Sequence, residues 1–548
     1  MSFLEKYLPN TVLKFPTQFF LILIGGMLFV PLLGSWPLFD WDELMPAEST
    51  REMLLTGNYR MVQIDFQPFY EKPPLFFWIQ ALSMKIFGVN EFGARFPNAL
   101  VGIATMLLLY NIGKLVFKES LGVLWALLMV VGVMPQFYFR SGFMHPMYDL
   151  FTFISVYYLF KLSSPDEFSS AKQQRKNRWA WMFASALFAG LAALVKGPAC
   201  IVIIILTSTV YLIVHRGKLK IELSEMLGWW FILAIIIFSW LGVELYDNGT
   251  RFIDGFSGFY RKLIGTNAEG HGGPVFYYVL VMLIGFFPAA WLAFDSFKIV
   301  DADSDTQIHF KRWMIYLFLT NLIVFSLAKT KIVHYASLCG YPLTFLAAYY
   351  LYQLWEGKFK WTWKQTVPVV FMAIVFTVAV IGAQVLAPRR HLLLPYLHDE
   401  FAAACLMAPV YFHQKEMWLG VFFLISVIVS VLLMQTKHLR WGTYILLISS
   451  AVFFNTLLIR WVPRAERFSQ HALIEFMQQK RNENCVIETD FRGYAHLFYT
   501  NKQPREALTH DKTYYKVARI QHAQGVLNAD TTLTELYRKN GWVFMKRK

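Results

Sequence analysis

Between residues 17 and 459 the chain carries roughly 13 predominantly apolar segments of about 20 residues, the length a helix needs to cross a bilayer. They lie near 17–38, 95–117, 120–139, 145–162, 178–195, 199–214, 226–246, 275–297, 312–328, 334–353, 366–387, 416–435 and 440–459, with 199–214 the shortest. In hydrocarbon a backbone must satisfy its own N–H and C=O groups, so such segments fold as helices. The whole chain of 548 residues is 56% hydrophobic and 18% aromatic, with a mean hydropathy of +0.42, more apolar than soluble domains are. The prediction is a mainly α, polytopic membrane protein with about 13 transmembrane helices and a small C-terminal α/β domain.

Orientation follows from the clustering of Lys and Arg in alternate loops. Lys172, Arg175 and Lys176 share one such loop, Arg216, Lys218 and Lys220 the next, and Lys358, Lys360 and Lys364 a later one. These loops read as internal, and they account for the net charge of +15 as tethers to anionic headgroups; no nucleic-acid partner is implied. The first apolar segment follows a basic leader and ends at Trp36-Pro37 without a small-residue cleavage site. It reads as an anchor with its amino terminus inside. Cys200, Cys339, Cys405 and Cys485 show no spacing that calls for a disulfide or a metal site.

Residues 1–460 form the membrane domain on this reading, with external loops at 39–94, 247–274 and 388–415. Within the first loop a short helix is expected from Asp42 to about Leu55, ending at Gly57, and an aromatic interfacial segment at 75–87. Residues 461–548 are polar and mixed. Strands are expected at Cys485–Glu488 and Trp542–Met545 and helices at 468–480 and 531–539, a small external α/β domain serving as a lid or docking surface.

The external loops collect ionisable residues that the orientation bias does not explain. Asp42-Glu43 either caps the short helix or supplies a general base, and the two roles are compatible. In Tyr70-Glu71-Lys72-Pro73-Pro74, Glu71 and Lys72 form a surface pair, or Lys72 meets a phosphate while Glu71 binds a metal or substrate. Asp149 lies inside an apolar span, where a carboxylate is expensive; it is functional, or it pairs with Arg140 or His145. Lys196, Lys329 and Lys331 stand at the external ends of spans, near His334-Tyr335 in the last case. They snorkel, or they hold an anion. His271 in Gly270-His271-Gly272-Gly273-Pro274 is a loop histidine, a metal ligand or an acid/base. No HExxH, Walker A or Rossmann glycine pattern is present, so a nucleotide donor is not supported.

Together these motifs, with Arg51-Glu52-Met53, His271 to Tyr278 and Phe325 to Lys331, resemble the polyprenyl-phosphate-sugar-dependent glycosyltransferases of GT-C fold. The bacterial aminoarabinose (lipid A) transferases and the protein O-mannosyltransferases are the relatives meant. The resemblance rests on motifs over about 35–345 and on topology beyond. It implies a multi-pass enzyme of the bacterial inner membrane with its site and C-terminal domain in the periplasm. The donor would be a sugar on undecaprenyl phosphate, and the acceptor a glycolipid such as lipid A or, alternatively, protein Ser/Thr. Lys72, Lys196, Arg261, Lys329 and Lys331 would neutralise the leaving phosphate, with Tyr335 and Tyr70 beside it. Asp42 or Asp149, with Glu43 as a further candidate, would act on the acceptor, and Glu71 and His271 are the candidate ligands of a divalent metal ion. Around Asp149 and His334 the match is loose, which leaves those roles open. A reading of another class is a flippase or transporter of polyprenyl lipids, against which stand the clustering of charge at the outer surface and the lack of a repeat.

Overall fold

The computed structural model describes residues 16–163, 171–215, 221–265, 272–298, 303–504 and 512–548. It is mainly helical up to Ser469. Among the described residues, seven helices are long and apolar enough to cross a membrane, and shorter apolar helices pack among them. The body contains α1 (Thr17–Phe29), α2 (Leu44–Thr56), α3 (Leu75–Phe87), α4 (Glu91–Val116), α5 (Glu119–Val131), α6 (His145–Ser163), α7 (Ala171–Lys196), α8 (Ala199–Val214), α9 (Leu223–Asn248), α10 (Thr250–Gly265), α11 (Asp305–Leu327), α12 (Gly340–Trp355), α13 (Trp363–Leu386), α14 (Met417–Met434) and α15 (Leu439–Ser469). Most apolar segments of the sequence coincide with a helix or with a helix broken by a turn, as at Gly132 and Phe286–Pro288, whereas the first, expected over 17–38, is helical only over Thr17–Phe29.

The first loop is held by a network of buried bonds. Helix α2 is buried on nearly every face, including Glu48, Arg51 and Glu52. Arg51 pairs with Glu48 at 2.6 Å, and Glu52 accepts the N–H groups of Asp65 and Phe66 at 2.7 and 2.8 Å, pinning the hairpin of β1 (Gln63–Ile64) and β2 (Gln67–Pro68). The helix ends at Gly57, as expected. Its N-cap is Glu43, without a side-chain cap hydrogen bond, so Asp42 does not cap it. Pro73 and Pro74 precede α3, where their missing N–H groups leave no helical bond unmade.

Beyond α15, helix α16 (His471–Gln479) leads into a four-stranded sheet of β3 (Cys485–Thr489), β4 (Thr513–Arg519), β5 (Leu533–Lys539) and β6 (Trp542–Arg547), with α17 (Ile520–Ala529) between β4 and β5. Strand order is β3-β4-β6-β5, with β3 and β4 parallel and the other pairs antiparallel. Side chains alternate as a pleat demands. Tyr515, Val517 and Phe544 face α16 and the main core, whereas Ala518, Val543 and Met545 pack under α17. The helix expected at 531–539 is strand β5. Its Leu, Glu, Arg and Lys favour a helix locally, but Asn540 and Gly541, at φ 49° and 82°, form a two-residue hairpin turn that pairs it with β6. All four cysteines are free thiols.

A candidate active site between the helical body and the sheet domain

A cleft of about 750 Å³ opens where the first loop, the ends of α6 and α7, the 332–335 turn and the sheet domain meet. Asp42, Glu71, Lys72, His145, Lys196, His334 and Tyr335 line it from the helical body, and Gln470, Phe491, Arg492, Arg519 and Trp542 from beyond α15.

Asp42 is half exposed to the cleft because its neighbour is locked away. Glu43 is buried and accepts Arg95 Nε and Nη2, both at 2.8 Å, together with the N–H groups of Gly142 at 2.7 Å and Phe39 at 3.0 Å. Arg95 spends its remaining donors on the carbonyls of Leu33, Trp36 and Pro37 at 2.8–3.0 Å. This is a fully bonded buried pair, the one arrangement in which burial of two charges is sustained. Glu43 is therefore a structural anchor, correcting its place among the catalytic candidates. Between it and the cleft, Trp41 adopts φ 114°, a conformation bulky residues rarely take outside functional sites. The same loop is tied to the sheet domain: Asp40 accepts Tyr494 N–H at 3.0 Å, Gln470 bonds Leu38 and Asp40, and Tyr499 Oη accepts Leu38 N–H at 2.7 Å. A Cβ on Gly493 would lie 2.3 Å from Asp40 Oδ2, so only glycine lets the two approach. Burial pushes the Asp40 carboxyl up to about 6, against the pull of the backbone N–H groups it accepts.

The cations come from two stretches. Lys72 follows Glu71 in the first loop; burial pushes its ammonium down to about 8, opposed by the nearby Glu71 and Asp42 carboxylates. Lys196 is the last residue of α7, where the helix dipole favours a cation. Gly197, at φ 110°, turns the chain there and Pro198 starts α8. The Lys196 ammonium contacts His145 Nε2 and lies 4.8 Å from the Tyr335 ring centroid. The rings of His145 and His334 are 3.9 Å apart, and His334 Nδ1 is 3.9 Å from Asp42 Oδ2.

Other predicted residues lie elsewhere. Asp149 is 5% exposed, its partner is Ser337 rather than Arg140 or His145, and its cavity of about 20 Å³ has room for about one water. Lys331 donates to the carbonyls of Phe325, Ser326 and Ala328 at 2.5–3.2 Å, closing the C-terminal end of α11. Lys329 is exposed outside the cleft lining, and Arg261 is exposed on α10 with Ser257 as partner. Tyr70 is a brace, its ring 5.9 Å from Phe252 and its hydroxyl 3.4 Å from Asn248. Glu71 lies 3.6 Å from Arg492. His271 falls outside the described residues. Sequence reasoning missed Arg492 and Arg519: charges in a polar domain stand out against nothing, and only the fold brings them into the cleft that Asp42 lines.

A family model described as dolichyl-phosphate-mannose-protein mannosyltransferase matches residues 71–241. An undecaprenyl phosphate-alpha-4-amino-4-deoxy-L-arabinose arabinosyl transferase of Shewanella sediminis is 24% identical over 343 residues, 61% of this chain and 59% of its own length. A transferase of the same description from Proteus mirabilis is 23% identical over 335 residues, 60% of this chain and 57% of its own. The aligned region thus spans just under three fifths of these relatives. The crystal structure of ArnT from Cupriavidus metallidurans bound to undecaprenyl phosphate superimposes with a TM-score of 0.74 over 96% of this chain and 97% of that one, at 16% identity. The chain has the fold of that protein.

Proposed function

We propose that this chain is a glycosyltransferase that moves a sugar from undecaprenyl phosphate to an envelope acceptor, a glycolipid of the lipid A kind, at the periplasmic face of the bacterial inner membrane. The observation that carries this reading is the meeting of Asp42, Lys72, Lys196 and Tyr335, from separate stretches of sequence, in one cleft of an ArnT-like fold. The names of the Shewanella and Proteus relatives supply the donor and the glycosyl transfer.

In this reaction an acceptor oxygen attacks the anomeric carbon of the donor sugar. The carbon–oxygen bond to phosphate breaks, and its electron pair leaves with undecaprenyl phosphate. Lys72 and Lys196 hold and neutralise that phosphate, with Tyr335 against the Lys196 ammonium; fixed cations in a partly desolvated cleft stabilise charge as it develops. Asp42 takes the acceptor proton. Asp149, bonded to Ser337 in its own small cavity, is not among the residues that line the cleft. Glu71 and His271 stay the candidate ligands of a divalent metal ion; among the described residues no three His, Cys, Asp or Glu side chains converge, and Glu71 lies 3.6 Å from Arg492. The Lys/Arg bias supports an internal amino terminus, about 13 crossings and a periplasmic domain at 461–548.

A protein acceptor is the second reading, favoured by the description of the family model. Purified protein in detergent, given an undecaprenyl-phosphate sugar and either a lipid A acceptor or a Ser/Thr peptide, tests both. Transfer to the glycolipid is expected. Product formation without compartments excludes pure transport, and failure with every donor and acceptor overturns the reading.

A further inference from the structure

Arg519, at the end of β4, lines the cleft, and its Nε is buried with no hydrogen-bond partner. Among the described residues no carboxylate lies within ion-pair distance of it. Its guanidinium is instead 5.1 Å from the ring of Phe401 and 5.8 Å from that of Phe491. Trp542 completes the cage, 4.9 Å from Phe401 and 4.7 Å from Phe491. An unpaired buried N–H of a cation is expensive. A planar guanidinium stacked on rings keeps its N–H edge directed outward, the geometry that suits a phosphate or carboxylate. The flanking rings offer apolar faces of the size of a sugar ring.

We propose that Arg519, with Phe401, Phe491 and Trp542, forms a subsite for the acceptor and that the acceptor is an acidic saccharide, a sugar ring carrying phosphate or carboxylate. The assignment to acceptor rather than donor rests on the reading under Proposed function. Lys72 and Lys196 hold the leaving phosphate on the helical-body wall, and a nucleophile displacing it in line reaches the sugar from the opposite face. The sheet domain supplies the other wall. Arg492, paired with Glu71 and stacked 4.5 Å from Trp41, joins the two.

The test uses the full-length protein in nanodiscs, with lipid A and its dephosphorylated form as acceptors. Binding of undecaprenyl phosphate is measured separately by tryptophan fluorescence. Arg519→Gln is expected to raise the KM for lipid A about 10–100-fold and to abolish the preference for the phosphorylated acceptor, the loss of one charge-assisted contact. Arg519→Lys is expected to restore much of that preference, which a merely structural role would not. Undecaprenyl phosphate binding is expected to match wild type in both variants. An unchanged acceptor KM in folded Arg519→Gln overturns the subsite. Loss of undecaprenyl phosphate binding in that variant assigns the arginine to the donor and equally overturns it. Wild-type protein that transfers to a Ser/Thr peptide without sensitivity to Arg519→Gln also overturns it. Wild-type protein that neither binds undecaprenyl phosphate nor transfers to any acceptor sinks the earlier reading instead.

Discussion

On the helical-body wall of the cleft, charge is held at fixed points. Asp42 stands beside the Glu43–Arg95 pair, in which every donor and acceptor is engaged, and Lys196 closes a helix against His145. On the sheet-domain wall, the Arg519 charge rests on the ring faces of Phe401 and Phe491, and Arg492 packs on Trp41 while paired with Glu71. Hydrogen-bonded burial fixes position to a fraction of an ångström, whereas ring packing alone, as at Arg519, lets a guanidinium slide in the ring plane. The first wall suits chemistry at one atom. The second suits recognition of a headgroup that arrives in more than one pose.

Adjacent acids give the sharpest way to break that comparison. Asp42→Asn is expected to lower transfer by about 10²–10⁴-fold, the range for loss of a general base, with unchanged expression and thermal unfolding. Glu43→Ala is expected to destabilise the protein by about 3–5 kcal/mol by leaving Arg95 buried and unpaired. Thermal unfolding in detergent reads the difference. Near wild-type turnover in Asp42→Asn removes the base, and a stable Glu43→Ala removes the anchor.

A smaller effect follows from Lys72. Burial brings its ammonium down to about 8, so the charged form that meets a phosphate dominates below that pH and declines above it. A bound dianion favours the charged form and raises the value again. Undecaprenyl phosphate affinity is therefore expected to fall as pH rises through about 8, toward tenfold per pH unit. Lys72→Arg, whose guanidinium stays charged, is expected to flatten the profile. A flat wild-type profile would take Lys72 away from the phosphate.

The two walls also differ in how far they can be read from sequence. In apolar spans an ionisable residue is conspicuous, because burying it is costly without a partner or a purpose. Asp149 and Lys196 stood out for that reason, and Asp42, Lys72 and Lys331 as charges gathered in the external loops; in the structure Asp149 and Lys331 are engaged locally, with Ser337 and with the end of α11. Conspicuousness marks a residue that needs explaining; it does not say whether a helix end or a substrate explains it. Glu43 and Asp42 are neighbours of one type, and only Arg95, on α4, separates their roles. Arg519 was invisible because β4, β6 and the 401 segment must fold together before its aromatic cage exists. The misread strand β5 has the same cause, since pairing with β6 overrode a local helical preference.

The smallest predicted effect probes that long-range dependence. Gly541 sits at φ 82° in the β5–β6 turn, where a side chain adds about 1–2 kcal/mol of backbone strain. A Cβ there would also meet the Phe401 ring at 2.8 Å. Gly541→Ala is expected to lower stability by about that amount and to displace Phe401, which packs on both Trp542 and the Arg519 guanidinium. Because the disturbance is confined to the sheet-domain wall, the acceptor KM is expected to rise severalfold while undecaprenyl phosphate affinity and its pH profile stay as in wild type. If donor affinity falls in parallel, the two walls are mechanically one, and the division of labour between fixed charges and stacked ones does not hold.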